Sequence, residues 1–245
     1  MDNTINVGLS YQMALRRDLD IVANNIANMN TTAFKTQTPL FRQFSQGTAG
    51  AGRGQVGLTM VQDFGVARDL SEGELAVTGN PLDIGIHGPG FFTVEGPGGT
   101  PRYTRNGHFQ LNDQGLLVTG TGYPVLGPSG RPIRIDAGAQ EITFATDGTI
   151  STSTGIVGHL GVVTFDNEQD MQELGNGLLA TQQAPVVTTE AEIHQGMLER
   201  SNVKAIIEMT KMIDVLRSYQ STARLMQSYQ DLQRRAVQRL GRFTP

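Results

Sequence analysis

The sequence predicts an α+β protein, with long helices at both ends and a central antiparallel all-β domain. Three observations carry that reading. Apolar residues near the N-terminus recur with the period of a helix, and a near-heptad pattern runs for about 35 residues before the C-terminus. Between them lie short β-type runs broken by Gly, Pro, Asn and Asp, with no helical stretch of ~12 residues, which argues against a parallel βαβ sheet.

The first helix is read over residues 4–30. From Tyr11, the apolar positions Leu15, Leu19, Val22, Ile26 and Met29 fall on one stripe. Its end is unusual: ANNIANMNTTAFKT (23–36) places Asn24, Asn25, Asn28 and Asn30 in a helical frame, at a combined cost of about 2 kcal/mol relative to alanine. An αL cap at Asn28 or Asn30 accounts for the last two asparagines only. Asn24 and Asn28, at i and i+4, form a polar ridge beside Val22 and Ile26 that can bond to a neighbouring helix and fix its register.

The following stretch, TTAFKTQTPLFRQFSQGTAGAGRGQVGLTM, loses the period and fills with Thr, Gly and Pro39, reading as extended linker. From about Leu75 the runs LDIGI, FFTV, RYTRNGHFQL, LLVTG, YPVLG, PIRI, EITFATDGTI and HLGVVTF alternate with turn signals such as Asn106-Gly107 and Asp147-Gly148. After Pro185 the chain is read as helical again. Ile206, Met209, Ile213, Leu216, Tyr219, Ala223 and Met226 form one stripe, while Leu225, Tyr229, Leu232 and Ala236 form a second apolar edge. Two edges call for two neighbours. Burying eight stripe residues would contribute on the order of 12–24 kcal/mol, so the termini are expected to pair as a coiled coil. The predicted division is 1–44 (N-terminal helix and extension), 45–72 (linker), 73–190 (β domain) and 191–245 (C-terminal helix).

Composition narrows the function. The 245 residues include no Cys, which removes disulfides, thiolate metal sites and Cys nucleophiles. The start carries Asp2, Asn3 and Asn6 where a secretory signal would show a basic and then an apolar region. No apolar run reaches the ~18 residues of a membrane span. Nine Lys/Arg against four Asp/Glu give residues 196–245 a charge of +5, four against three give 1–44 +1, and the total of −4 leaves −10 for the middle. Acidic balance without basic-aromatic interleaving speaks against nucleic-acid binding.

Chemical motifs are weak. His87, His108, His159 and His194 stand apart without HExxH or Cys company; GTAGAGRG (47–54) lacks the Lys-Ser/Thr of a P-loop; DNEQD (166–170) lacks the glycine of a calcium loop. No nucleophile elbow occurs, and no catalytic, cofactor-binding or metal-binding residue is nominated.

Three separated stretches are nevertheless distinctive: ANNIANMNTTAFK, the block LAVTGNPLDIGIHGPGFFTV with RYTRNGHFQLNDQGLLVTGTGYPVLG, and GMLERSNV followed by EMTKMIDVLRSYQ. In this order and across nearly the whole chain, they resemble the bacterial flagellar rod and hook protein family, and the central wording is most like its proximal rod members, with distal members the nearest rival. Ala33 stands where that family usually has Gly, which weakens the case for a positive-φ turn there. The resemblance implies a structural, self-assembling subunit of the periplasmic rod of the flagellar basal body, exported by the flagellar type III apparatus without a cleavable signal. Partners would be further copies and other proximal and distal rod proteins. Terminal helices would build a tubular coiled-coil core with the acidic β domain facing outward. The implied assembly interface comprises Leu15, Leu19, Val22, Asn24, Asn25, Ile26, Asn28, Thr31 and Phe34 at the N-terminal side. At the C-terminal side it comprises Ser201, Asn202, Val203, Ile206, Met209, Ile213, Leu216, Tyr219, Ala223 and Met226. The alternatives are a β-domain module binding an envelope or export component, and a glycan hydrolase, which would need a convergent carboxylate pair that the sequence does not nominate.

Overall fold

The computed structural model describes residues 2–46, 58–136, 138, 141–188 and 190–240. The chain divides into two compact units. One gathers Met1–Asn28, Thr36–Asp69 and Val203–Pro245; the other gathers Met29–Lys35 and Leu70–Asn202.

The first unit contains helices α1 (Asp2–Ala27) and α2 (Ala205–Leu240) and strands β1 (Gln37–Gln46) and β2 (Leu58–Arg68). The helices run antiparallel, since Gly8 lies beside Met226, Asp18 pairs with Lys211, and Asn25 bonds to Glu208. α1 stops where the Asn28 N–H divides between the Asn24 and Asn25 carbonyls. Its inward face is Leu15, Ile21, Val22 and Asn25.

The segment read as linker is corrected in part: its flanks are strands. β1 and β2 pair antiparallel from Gln37↔Arg68 to Gln46↔Leu58, with a bulge at Leu40/Phe41. Leu40, Phe41, Phe44 and Phe64 are exposed, so neither strand shows the apolar alternation of a half-buried sheet. Instead Arg42 stacks over the Phe64 ring at 4.4 Å, a cation–π contact between the two strands. The glycine-rich run 47–54 lies outside the described residues.

The second unit is antiparallel throughout its paired strands. β5 (Phe91–Glu95) is central: it pairs with β6 (Pro101–Thr104) along one edge, and with 125–126 and 162–163 along the other. Residues 178–180 and 172–175 extend the sheet beyond β6, and 186–187 extend it beyond 162–164. A three-stranded sheet of 142–144, 149–152 and 155–159 and a hairpin of 109–111 with 117–119 complete the fold. The core holds Ile84, Ile86, Phe92, Val94, Phe109, Leu117, Val125, Ile135, Ile150 and Leu160, all fully buried, with Phe92 and Phe109 edge to face at 5.1 Å. Turn chemistry sets the connections. Asp147 Oδ1 accepts the Thr149 N–H at 2.9 Å and Gly148 takes φ +91°. At Gly107 a Cβ would lie 1.8 Å from the Ile84 carbonyl oxygen, so only glycine fits.

The reading of a helix straight after Pro185 is corrected as well. Glu192–Gln195 pairs with β4 (Ile84–His87) and Met197–Glu199 pairs with β3 (Leu75–Val77), with Gly196 between them at φ +73°. The chain therefore returns to the β unit before α2 begins at Ala205.

Candidate assembly interface

Within the first unit Asn25 resolves part of the asparagine puzzle. Its side chain is fully buried. The amide Nδ2 donates to the Gln37 carbonyl (2.8 Å) and to Glu208 Oε2 (3.0 Å), while Oδ1 accepts the Gln37 N–H (2.9 Å). One amide thus tethers the start of β1 and the first turn of α2 to α1. No apolar side chain could satisfy both backbone groups of Gln37 and the Glu208 carboxylate at once. In the ridge formed by Asn24 and Asn28, Asn28 Nδ2 donates to the Asn24 carbonyl and to Asn24 Oδ1, both at 2.9 Å, and Asn24 Nδ2 donates to Gln37 Oε1 on β1 at 3.4 Å.

The N-terminal stripe is largely internal to the chain: Leu15 and Val22 are buried, and Leu19 and Ile26 are half-buried. The α2 stripe behaves differently. Ile206, Met209, Ile213 and Leu216 are 82%, 47%, 50% and 40% exposed, whereas Tyr219, Ala223 and Met226 are half-buried. α1 instead covers Glu208, Lys211 and Val215 in this part of α2. The Asn25–Glu208 bond and the Lys211–Asp18 contact (3.3 Å) hold the helix in that rotation. Periodicity alone could not supply the phase, because the residues facing α1 are partly polar.

Thr31, Phe34, Ser201 and Asn202 belong to the second unit, and Val203 opens the segment that follows it. There the three distinctive stretches converge on a feature that sequence reasoning missed. Glu199 of GMLERSNV, nearly fully buried, accepts Lys35 Nζ of TTAFK at 2.6 Å, Arg105 Nε of RYTRNG at 2.6 Å and the Gly73 N–H at 2.9 Å. Lys35 and Arg105 side chains are themselves only 10% and 8% exposed. Arg105 donates further to the carbonyls of Gly90 (2.7 Å) and Gly88 (2.6 Å), and Lys35 to that of Ser71 (2.7 Å). Burial pushes the Lys35 ammonium pKa down, and the adjacent Glu199 charge only partly offsets this. Backbone bonds complete the junction: the Ala33 N–H donates to the Glu199 carbonyl (2.8 Å) and the Asn202 N–H to the Phe34 carbonyl (3.3 Å). Ala33 sits at φ +59°, so the left-handed turn is formed although the residue is alanine. The available signal was one charged residue in each of three quoted motifs, but their pairing spans 164 and 94 positions.

Chemically this is a fastening rather than a reaction centre, since its polar atoms are committed to one another. Among the described residues no group of three His, Cys, Asp or Glu side chains is arranged to hold a metal ion, and no helix is long and apolar enough to cross a membrane. The 166–170 acids form a surface 3₁₀ turn in which Asn167 Nδ2 donates to Asp170 Oδ2 at 2.6 Å.

A helical unit interrupted in sequence by a motif-fastened β unit is the architecture of the chain, and family comparison places it, segment by segment, among flagellar axial proteins. Residues 5–35 match the flagella basal body rod protein model, 85–152 the flagellar hook protein FlgE/F/G D1 domain, and 194–239 the flagellar basal body rod FlgEFG protein C-terminal model. The chain is 45% identical to the flagellar basal-body rod protein FlgF of Caulobacter vibrioides, over 99% of this chain and 100% of that one. It is 35% identical to FlgF of Rhizobium meliloti over 98% and 99%, and 32% identical to the rod protein FlgG of Bacillus subtilis over 89% and 92%. The chain belongs to the flagellar basal-body rod protein family, as a structural subunit of the rod.

Proposed function

We propose that this rod subunit occupies the proximal part of the rod and assembles through the terminal helices, whose open faces pair as a coiled coil with further copies and with other proximal and distal rod proteins. The observation that carries the reading is the stripe Ile206, Met209, Ile213 and Leu216, left between 40% and 82% exposed by its own chain. A contiguous apolar face of this kind on a soluble fold marks an interaction site. Full-length similarity to proteins named FlgF favours the proximal position, and the role is structural rather than catalytic. The subunit reaches the periplasm through the flagellar type III export apparatus. Thr31, Phe34, Ser201, Asn202 and Val203 belong to the same assembly interface.

Two measurements test this. Leu216→Asp should leave the β unit folded, judged by the near-ultraviolet signal of buried Tyr103, yet be missing from purified basal bodies. Normal incorporation of that variant would remove the stripe from the interface. Basal bodies from cells lacking the FlgG-type relative should retain this chain if it is proximal; its disappearance together with the distal rod would place it distally.

A further inference from the structure

Three dipeptides in the chain, Asn106-Gly107, Asp147-Gly148 and Asn176-Gly177, carry the groups for succinimide closure, in which a backbone nitrogen attacks the side-chain carbonyl of the residue before it. Glycine favours the reaction because, without a Cβ, its nitrogen can swing onto the neighbouring side chain with little steric resistance. The fold treats the three differently. Gly107 is buried, and a Cβ there would lie 1.8 Å from the Ile84 carbonyl oxygen; Asn106 Oδ1 accepts the His108 N–H at 3.0 Å. Gly148 is buried as well, its Cβ position 2.4 Å from the Leu160 carbonyl oxygen, and Asp147 holds Thr149 through both carboxylate oxygens. In both cases the side chain is committed two residues on and the glycine is seated against a backbone carbonyl. Neither can make the rotation that closes the ring without opening the core around it.

Asn176-Gly177 has none of these restraints. It is the two-residue turn between strands 172–175 and 178–180, with φ of +54° and +70°, and both residues are exposed. Positive φ at both central positions is the I′ hairpin turn, for which Asn-Gly is preferred. The nearest heavy atom to a Cβ at Gly177 is Thr104 Oγ1, at 3.8 Å. Among the described residues the Asn176 amide has no hydrogen-bond partner. Strand 172–175 is the outermost of its sheet, and a register shift between Glu173 and Gly175 interrupts its ladder just before the turn. Opening the turn therefore disturbs only the last pairs of an edge hairpin.

We infer that Asn176 is the residue at which this chain deamidates, with water as the co-reactant. The Gly177 amide nitrogen bonds to Asn176 Cγ, the Cγ–Nδ2 bond breaks, and ammonia leaves with the proton that the nitrogen gave up. Water then opens the five-membered imide. Cleavage at the side-chain carbonyl gives aspartate; cleavage at the backbone carbonyl gives isoaspartate, whose chain runs on through Cβ and Cγ. Either way one water is consumed, one ammonia is released, and the acidic middle of the chain gains a negative charge. In the isoaspartyl form the extra backbone atom no longer fits a two-residue turn. Strand 172–175 then detaches, while 178–180 stays paired to β6 through Leu179↔Tyr103.

The test uses the full-length protein, held folded in mildly alkaline buffer and, as the unfolded reference, in guanidinium chloride. Samples are digested with pepsin in acid and mapped by mass spectrometry. In the folded protein Asn176 should convert at least tenfold faster than Asn106, giving aspartyl and isoaspartyl peptides of equal mass; in denaturant the two sites should convert within about threefold of each other. Asn176→Asp, a residue that tolerates left-handed backbone, should remove most of the ammonia released by the folded protein. Equal rates in the folded protein, or a faster Asn106, overturn the inference. A tenfold preference that persists in denaturant overturns it too, because the selectivity would then lie in neighbouring sequence and not in the turn. Undiminished ammonia release from Asn176→Asp would place the reaction at another residue.

Discussion

Replacing Glu199 by glutamine removes one charge from a cluster in which two cations are already almost dry. Lys35 and Arg105 keep 10% and 8% of their side-chain exposure and each lies 2.6 Å from a Glu199 oxygen. Glutamine keeps the size and one acceptor, but its amide turns two hydrogens toward donors, and the carboxylate charge is gone. Breaking a buried pair by removing one partner costs about 3–5 kcal/mol, because the remaining charge is left uncompensated. With two cations stranded, the upper part of that range applies. In the full-length protein the assay is native-state hydrogen exchange at Phe92 and Val94, whose ladder bonds sit in the core of the β unit. A loss of 3–5 kcal/mol in opening free energy corresponds to exchange faster by roughly 100- to 5000-fold. Lys35→Met added to Glu199→Gln should restore part of the loss, since one stranded charge is gone and the two effects are coupled. Exchange within threefold of wild type in Glu199→Gln would refute the reasoning, because the cluster would then be neither dry nor tightly paired.

Other expectations follow from single contacts. Asn25→Asp sets a second carboxylate where Nδ2 now lies 3.0 Å from Glu208, so assembly-unit stability should fall by about 2–3 kcal/mol at neutral pH and recover in part as pH drops and one acid protonates; urea melts at pH 7 and pH 4.5 compare the two. Ala33→Gly relieves a left-handed alanine and should stabilise the β unit by about 1 kcal/mol, visible as a higher denaturation midpoint at unchanged slope. The His87 pKa should titrate above the usual 6.5, because Glu72 bonds its ring at 2.9 Å and adds a negative charge, and Glu72→Gln should bring it back. Burial acts to raise the Glu72 pKa, but its bonds to His87 and the Gly88 N–H outweigh that and lower it. The signs are therefore opposite: His87 contributes below the ordinary histidine value and is lost as pH rises through its raised one, while Glu72 contributes above the ordinary carboxylate value and is lost as pH falls through its depressed one. The pair works best between those limits, where NMR titration of the His87 ring reads it.

Much of this was legible in the chain because local rules were obeyed. The stripe from Leu15 to Ile26 and the unbroken run to Leu240 announced the helices, and Asn106-Gly107 and Asp147-Gly148 announced turns of the β unit. The β1–β2 pair was not legible, since strands with exposed faces carry no alternation, and Arg42 over Phe64 leaves no pattern in composition. The strands at 192–199 were hidden by their nearness to a strong helical period. The rotation of α2 depends on Asn25 and Asp18, far away in sequence, choosing Glu208 and Lys211. The Glu199 cluster was out of reach for the same reason, each member being an ordinary charged residue until the fold brings all three together.

The hydrogen bond from Asn202 to Phe34 has a consequence for the order of folding. Asn25 and Glu208 are separated by 183 positions, a long loop for an unfolded chain to close. Once the β unit has joined 34 to 202, only about 15 residues of free chain separate the same two side chains. The entropic cost of their meeting falls by roughly 2 kcal/mol, which makes the β unit a splint that brings the two helices within reach of each other. On this order of events the helix pair, with the exposed stripe of α2, closes after the β unit has formed.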